Sequence, residues 1–224
     1  MRPFWLLLFT GWLIIACSAL PPLQPGERSA HDLLSQKCQQ LFPEGKWQFV
    51  HSIEARPPGG QKNLLIGVTI ISSRDKSAHC VLMTIEGLVV FDATYDGKLV
   101  IKRALTPFDH GGFAAGLIDD IRLIFFVPEG PRLETGQAQN GASVCRYQNP
   151  DGRIIDLVIR GDRSWQIRRY SRQLRLTGTV SAFFSKKSPT EKQSVIPARL
   201  ELKAHGVAGY NLNMNLVEAV ELKP

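Results

Sequence analysis

The apolar positions divide the chain into one short hydrophobic run, two helical stretches and a long succession of alternating segments. Residues 4–16, FWLLLFTGWLIIA, are almost wholly apolar. Leu34, Cys38 and Leu41 share one helical face, which Pro43 and Gly45 close. Period-two alternation then sets in, with Trp47, Phe49, His51 and Ile53 on one side and Gln48, Ser52 and Glu54 on the other. Runs over 64–72, 78–86, 88–95 and 99–103 follow, and Asp96-Gly97 is a hairpin turn signal. The break at 107–112 gives way to Phe113, Leu117, Ile121 and Ile124 at helical spacing, ended by Pro128 and Gly130. Residues 129–142, rich in Gly, Gln and Asn, read as a loop. Strand runs resume over 143–148, 153–160, 165–171, 174–184, 195–204 and 210–222. In the last, Tyr210, Leu212, Met214 and Leu216 alternate with Asn211, Asn213 and Asn215.

About ten strands and two helices, with no linker between halves, predict a mainly β (α+β) chain. Short turns between neighbouring runs argue for antiparallel pairing. A single antiparallel sheet of that size must curl to hide its edges. The expected architecture is one strongly curved sheet forming an incomplete barrel, with the helices covering its mouth.

The N-terminal run gives an address. Thirteen apolar residues behind Arg2 are too few to span a bilayer, which takes about twenty, and fit the core of a secretory signal. Ile14-Ile15-Ala16-Cys17 then looks like a bacterial lipobox, which implies cleavage before Cys17 and acylation of its thiol and new amine. Residues 1–16 are therefore read as a signal peptide, 17–28 as the lipidated cysteine with a Pro-rich extended tether, and 29–224 as one domain. Ser18 after the cysteine, where an aspartate would favour inner-membrane retention in enteric bacteria, points to the periplasmic face of the outer membrane.

Composition adds limits. The 224 residues are 44% hydrophobic and 21% charged, with a formal net charge of +7, which is ordinary globular material. Part of the basic excess is concentrated: Arg153, Arg160, Arg163, Arg168, Arg169, Arg172 and Arg175 fall within 23 residues. Beyond a solvated strand face, six of these (Arg160, Arg163, Arg168, Arg169, Arg172 and Arg175) form a candidate patch for lipid head groups or an acidic envelope partner. An exported chain is a poor nucleic-acid binder, and none is expected.

No nucleophile elbow, zinc-protease motif, phosphate loop or dinucleotide fingerprint is present, and the five histidines lack metal-ligand spacing. The chain therefore reads as a non-enzyme without cofactor or metal. Of the three cysteines left after Cys17, at most one internal pair can form in an oxidising envelope. Cys80 and Cys145, both on strand runs, are the first candidates; a bridge from Cys38, or none, remains open.

The stretches GVT at 67–69, CVLMTIEGLVVFD at 80–92, IPARLEL at 196–202 and GYNL at 209–212 resemble the LolA/LolB superfamily of bacterial lipoprotein carriers, and more closely an outer-membrane lipoprotein family of unknown function with that fold. The resemblance covers most of 47–222. It implies a curved half-barrel, a helical lid and a cavity for acyl chains of a lipoprotein, glycolipid or similar amphiphile. Expected lining residues are Met83, Val89, Phe91, Phe113, Leu117, Leu212, Met214 and Leu216. The competing expectation is an assembly lipoprotein that docks a protein partner at the outer membrane without a cavity ligand.

Overall fold

The computed structural model describes residues 20–25, 28–57, 59–110, 112–161, 164–185, 196–206 and 209–223, with 28–32 as backbone. The expected signal peptide and Cys17 lie outside the described residues.

A first meander runs through β2 (Lys46–Arg56), β3 (Asn63–Ser72), β4 (Ser77–Thr84), β5 (Val89–Tyr95) and β6 (Leu99–Ala104). A second runs through β7 (Arg132–Gln137), β8 (Ser143–Gln148), β9 (Ile154–Ile159), β10 (Ser164–Tyr170), β11 (Leu176–Phe183), β12 (Arg199–Ala204) and β13 (Asn211–Leu222). A two-residue β1 (Gln24–Pro25) precedes α1 (Arg28–Gln39), and α2 (Phe113–Phe125) joins the meanders.

All strands belong to one antiparallel sheet in the order β1-β7-β8-β9-β10-β11-β12-β13-β2-β3-β4-β5-β6. The two meanders are joined where β13 pairs with β2 from Asn211 opposite Arg56 to Leu222 opposite Lys46. The sheet is curved and not closed, an incomplete barrel with the helices over its mouth, as the alternation predicts. The order also places the lid: β6 and β7, consecutive in sequence, stand toward opposite edges, so the segment carrying α2 has to cross the open side.

Alternation decides what the inner wall carries. On β2, Trp47, Phe49, His51 and Ile53 are buried while Gln48, Val50, Ser52 and Glu54 are half-exposed. Phe49, Phe91, Leu157, Ile167, Leu200 and Leu202 are among the most deeply buried side chains and belong to one core cluster. Fully burying such a side chain contributes about 1.5–3 kcal/mol.

Two expectations need correction. Within 129–142, expected as a loop, Arg132–Gln137 forms strand β7, paired with β8 on one side and β1 on the other. The disulfide is Cys38–Cys145, with a Cα–Cα distance of 6.5 Å, and not Cys80–Cys145. Seven strands stand between β4, which carries Cys80, and β8, which carries Cys145. At about 4.8 Å per strand they are far from neighbours. α1 instead lies against β7 and β8, which brings Cys38 over Cys145. Cys80 is free and buried, hydrogen-bonded to Thr69, and burial pushes its thiol up to about 12.

Candidate functional site

α2 is the element over the inner wall. Its sequence FAAGLIDDIRLIF puts Ala114, Ile118, Ile121, Ile124 and Phe125 on a buried face. Phe125 stacks on Phe49 with ring centroids 4.8 Å apart, and Phe113 meets Phe91 edge-on at 5.5 Å. Between Leu41, Phe49, Ile124, Phe125, Trp165 and Ile196 the remaining void is about 10 Å³. That is at most one water. Along this stretch α2 fills the inner volume.

His51 lies beneath α2, with its ring 6.4 Å from Phe125 and 6.1 Å from Phe49. Only 4% of it is exposed, and burial holds its imidazole down at about 4, so it is neutral at pH 7.

Adjacent acidic residues fasten the other side of the helix. Asp120, 2% exposed, accepts from Arg169 Nη1 at 3.1 Å and from the hydroxyl of Tyr210. Burial raises the Asp120 carboxyl, outweighing the downward pull of Arg169 and Tyr210. Burial, then the Asp120 charge, raises Tyr210. Asp119 accepts from Arg153 Nη1 at 2.8 Å, and Arg153 Nε reaches Asp151 Oδ2 at 2.5 Å. Arg122 donates to Glu129 at 2.7 Å and sits 5.0 Å from the centre of the Tyr95 ring. Asp119, Arg122, Glu129, Asp151, Arg153 and Arg169 line a polar cleft of about 330 Å³ beside α2. Its three arginines, Arg122, Arg153 and Arg169, are each already paired with a carboxylate, so the cleft is charge-compensated rather than an anion hole.

The expected lining residues divide. Phe91 and Met214 belong to the inner core, and Phe113, Leu117, Leu212 and Leu216 pack against it. Met83 and Val89 do not. Met83 pairs with Val89 while Leu82 pairs with Phe91, across a register shift between Leu82 and Met83. Alternation turns Met83 away from the face of Leu82, and the extra residue Val90, buried beside Phe91, turns Val89 to the other face with it.

The arginines do not form one patch either. Arg169 points inward to Asp120, and Arg172 donates to the carbonyl of Asp151. Arg168 lies on the opposite face of β10, donating to Gln166 Oε1 at 2.8 Å. Exposed Arg160 precedes β10 and exposed Arg175 follows it, at opposite ends of a seven-residue strand, about 20 Å apart. Arg163 lies outside the described residues.

A cluster on the outer face of β8–β9 escapes a motif search. Arg146, 5% exposed, donates from Nε to Asp156 Oδ1 at 2.7 Å and from Nη2 to Asp156 Oδ2 at 2.9 Å. Its remaining contacts go to Glu134 at 3.1 Å and to the carbonyl of Pro21 at 3.0 Å. The legible signal is β9 itself. Ile154, Ile155, Leu157 and Val158 are apolar on both parities, the mark of a strand covered on both faces.

No family model matches the chain, and no curated protein matches it. Among solved structures, a LolA superfamily protein from Nitrosomonas europaea superposes with a TM-score of 0.56 at 11% identity, covering 87% of this chain and 94% of that one. A domain assigned as an outer membrane lipoprotein-sorting protein, from Vibrio parahaemolyticus, gives a TM-score of 0.48 at 9% identity, covering 86% of this chain and 92% of that one. The chain has the LolA-like fold.

Proposed function

We propose that this protein is a bacterial envelope lipoprotein, anchored through acylated Cys17, that binds the acyl chains of an amphiphile against its inner wall in the volume α2 fills. The observation that carries the reading is the lid topology. A largely apolar wall is closed by one 13-residue helix that the chain has to carry across the mouth. Three inner-face polar atoms, the Thr135 and Tyr147 hydroxyls and the Trp165 indole nitrogen, are buried without a hydrogen-bond partner among the described residues. Such atoms cost stability, and an ester or carboxylate at the head of a bound chain would supply acceptors. Phe91, Phe113, Leu117, Leu212, Met214 and Leu216 are the proposed chain contacts.

The resemblance to lipoprotein carriers supports a role in handling lipids or lipoproteins, and the signal and lipobox support the outer-membrane periplasmic face. Among the described residues no helix is long and apolar enough to cross a membrane. Native mass spectrometry of the unacylated domain, together with titration of a fluorescent C16 fatty acid, tests the reading. Saturable one-to-one uptake is expected, and ligand-free protein without uptake overturns it. A second reading, a lipoprotein that docks a protein partner, draws on the packed volume beneath α2. It predicts no fatty-acid uptake and co-purification of a defined partner.

A further inference from the structure

The segment after Cys17 is expected to be a Pro-rich extended tether, and its described part is docked on the domain. Gln24 and Pro25 pair with Gln137 and Gly136 at the β7 edge. Leu23 packs on Ala142, Val144 and Val158, a small apolar cluster separate from the main core. The carbonyl of Pro21 accepts from Arg146, whose charge is compensated beneath it by Asp156 and Glu134. Gly136 is where the segment crosses most closely: a Cβ there would stand 2.5 Å from the Gln24 carbonyl oxygen and 3.2 Å from Leu23 Cβ. A strap fastened by strand pairing, apolar contact and a buried guanidinium restricts where the anchor can go. Cys17 precedes Pro21 by four residues, which span at most about 14 Å.

We infer that residues 20–25 are an orienting strap that holds the outer face of β7–β9 against the bilayer carrying the acyl anchor, leaving the α2 side of the sheet facing away from that membrane. The inference rests on acylation of Cys17 as proposed above. The occupant of the outer face is the lipid surface itself, because the strap ends on that face and too little chain remains to carry the anchor round the barrel. A consequence follows for cargo: the α2 cleft opens toward the periplasm, so an amphiphile would arrive from a soluble donor rather than out of the protein's own bilayer.

The test uses the full chain purified from membranes into nanodiscs with a nitroxide on the lipid head groups. One fluorophore is placed at Gln148→Cys, exposed on the outer face beside Arg146, and another at Ala115→Cys, exposed on α2. Cys80 stays unlabelled because it is buried with its thiol pushed up to about 12. Quenching at 148 should exceed that at 115 at least threefold. In Gly136→Val, which leaves no room for the strap, the difference should collapse. Hydrogen exchange at the Gln24 amide should be slow in wild type and fast in the variant, showing that the change is local. Equal quenching at both sites, or fast exchange at Gln24 in wild type, overturns the inference. The intact mass of Cys17 reports separately on anchoring: an unmodified cysteine overturns the anchor and with it the orientation, whereas an acylated protein with equal quenching overturns the orientation alone.

Discussion

The two faces of the sheet are covered in different ways. On the inner face, α2 brings a broad apolar stripe, several aromatic contacts, a buried ion pair from Asp120 to Arg169 and a half-exposed one from Asp119 to Arg153. On the outer face of β8–β9, six residues of extended chain cover a small apolar patch and one buried bidentate ion pair. The inner cover is an amphipathic helix on an alternating wall; under the proposed function it gives way and leaves apolar surface for an acyl chain. The outer cover is keyed to one guanidinium and one glycine. Lifting it would expose a charge pair and a small apolar patch. The proposed function therefore needs release on one side and fixation on the other.

The largest expected effect tests what both covers presuppose, the attachment of α1 to β8. Replacing Cys38 and Cys145 by serine opens a link of sequence separation 107. For a loop near 100 residues the chain-entropy model gives about 4.7 kcal/mol, so urea unfolding should show a loss of that order.

Asp156→Ala strands the Arg146 charge beneath the strap, and removing one partner of a buried pair costs about 3–5 kcal/mol. Asp120→Asn, on the α2 side, keeps one oxygen to accept from Arg169, while its Nδ2 can donate to the Tyr210 hydroxyl. Because burial already disfavours its charge, the expected loss is about 1.5 kcal/mol, with faster fatty-acid uptake. Equal losses for the two substitutions would break the contrast between a fixed outer cover and a releasable inner one.

The pH dependence of the inner cover falls between these two. His51 has a folded value of about 4 against an ordinary 6.5. Between those values the unfolded chain binds the proton and the folded one does not, so stability falls as pH drops from 6.5 toward 4. The full shift corresponds to about 3 kcal/mol. His51→Phe, which keeps a ring between Phe49 and Phe125, should flatten this part of the stability profile. The smallest effect is Gly136→Ala: release of the strap with little change in global stability, because the strap adds only a two-residue strand pairing and a small apolar contact, read as faster exchange at the Gln24 amide.

Much of the inner side was legible. The alternation in β2 and β13 named the buried parity, and the spacing of Phe113, Leu117, Ile121 and Ile124 gave α2. The outer side was not legible from local pattern. β7 has few apolar side chains, and its Leu133 is half-exposed while Thr135 and Gly136 are buried, so no period-two signal marks it. β1 is two residues long and exists only because β7 offers an edge. The face of Val89 depends on a register shift that alternation cannot reveal. The disulfide depends on how many strands separate β4 from β8, a property of sheet order and not of spacing. The arginine cluster looked continuous because sequence proximity was read as spatial proximity, whereas a strand distributes neighbours over two faces and two ends.

The central claim is that α2 gives way to an acyl chain. Hydrogen exchange across residues 113–125, with and without a saturating C16 fatty acid, tests it most directly. The account predicts stoichiometric uptake, faster exchange along α2 and unchanged slow exchange at the Gln24 amide. Absence of uptake, or uptake that leaves α2 as protected as before, would contradict it.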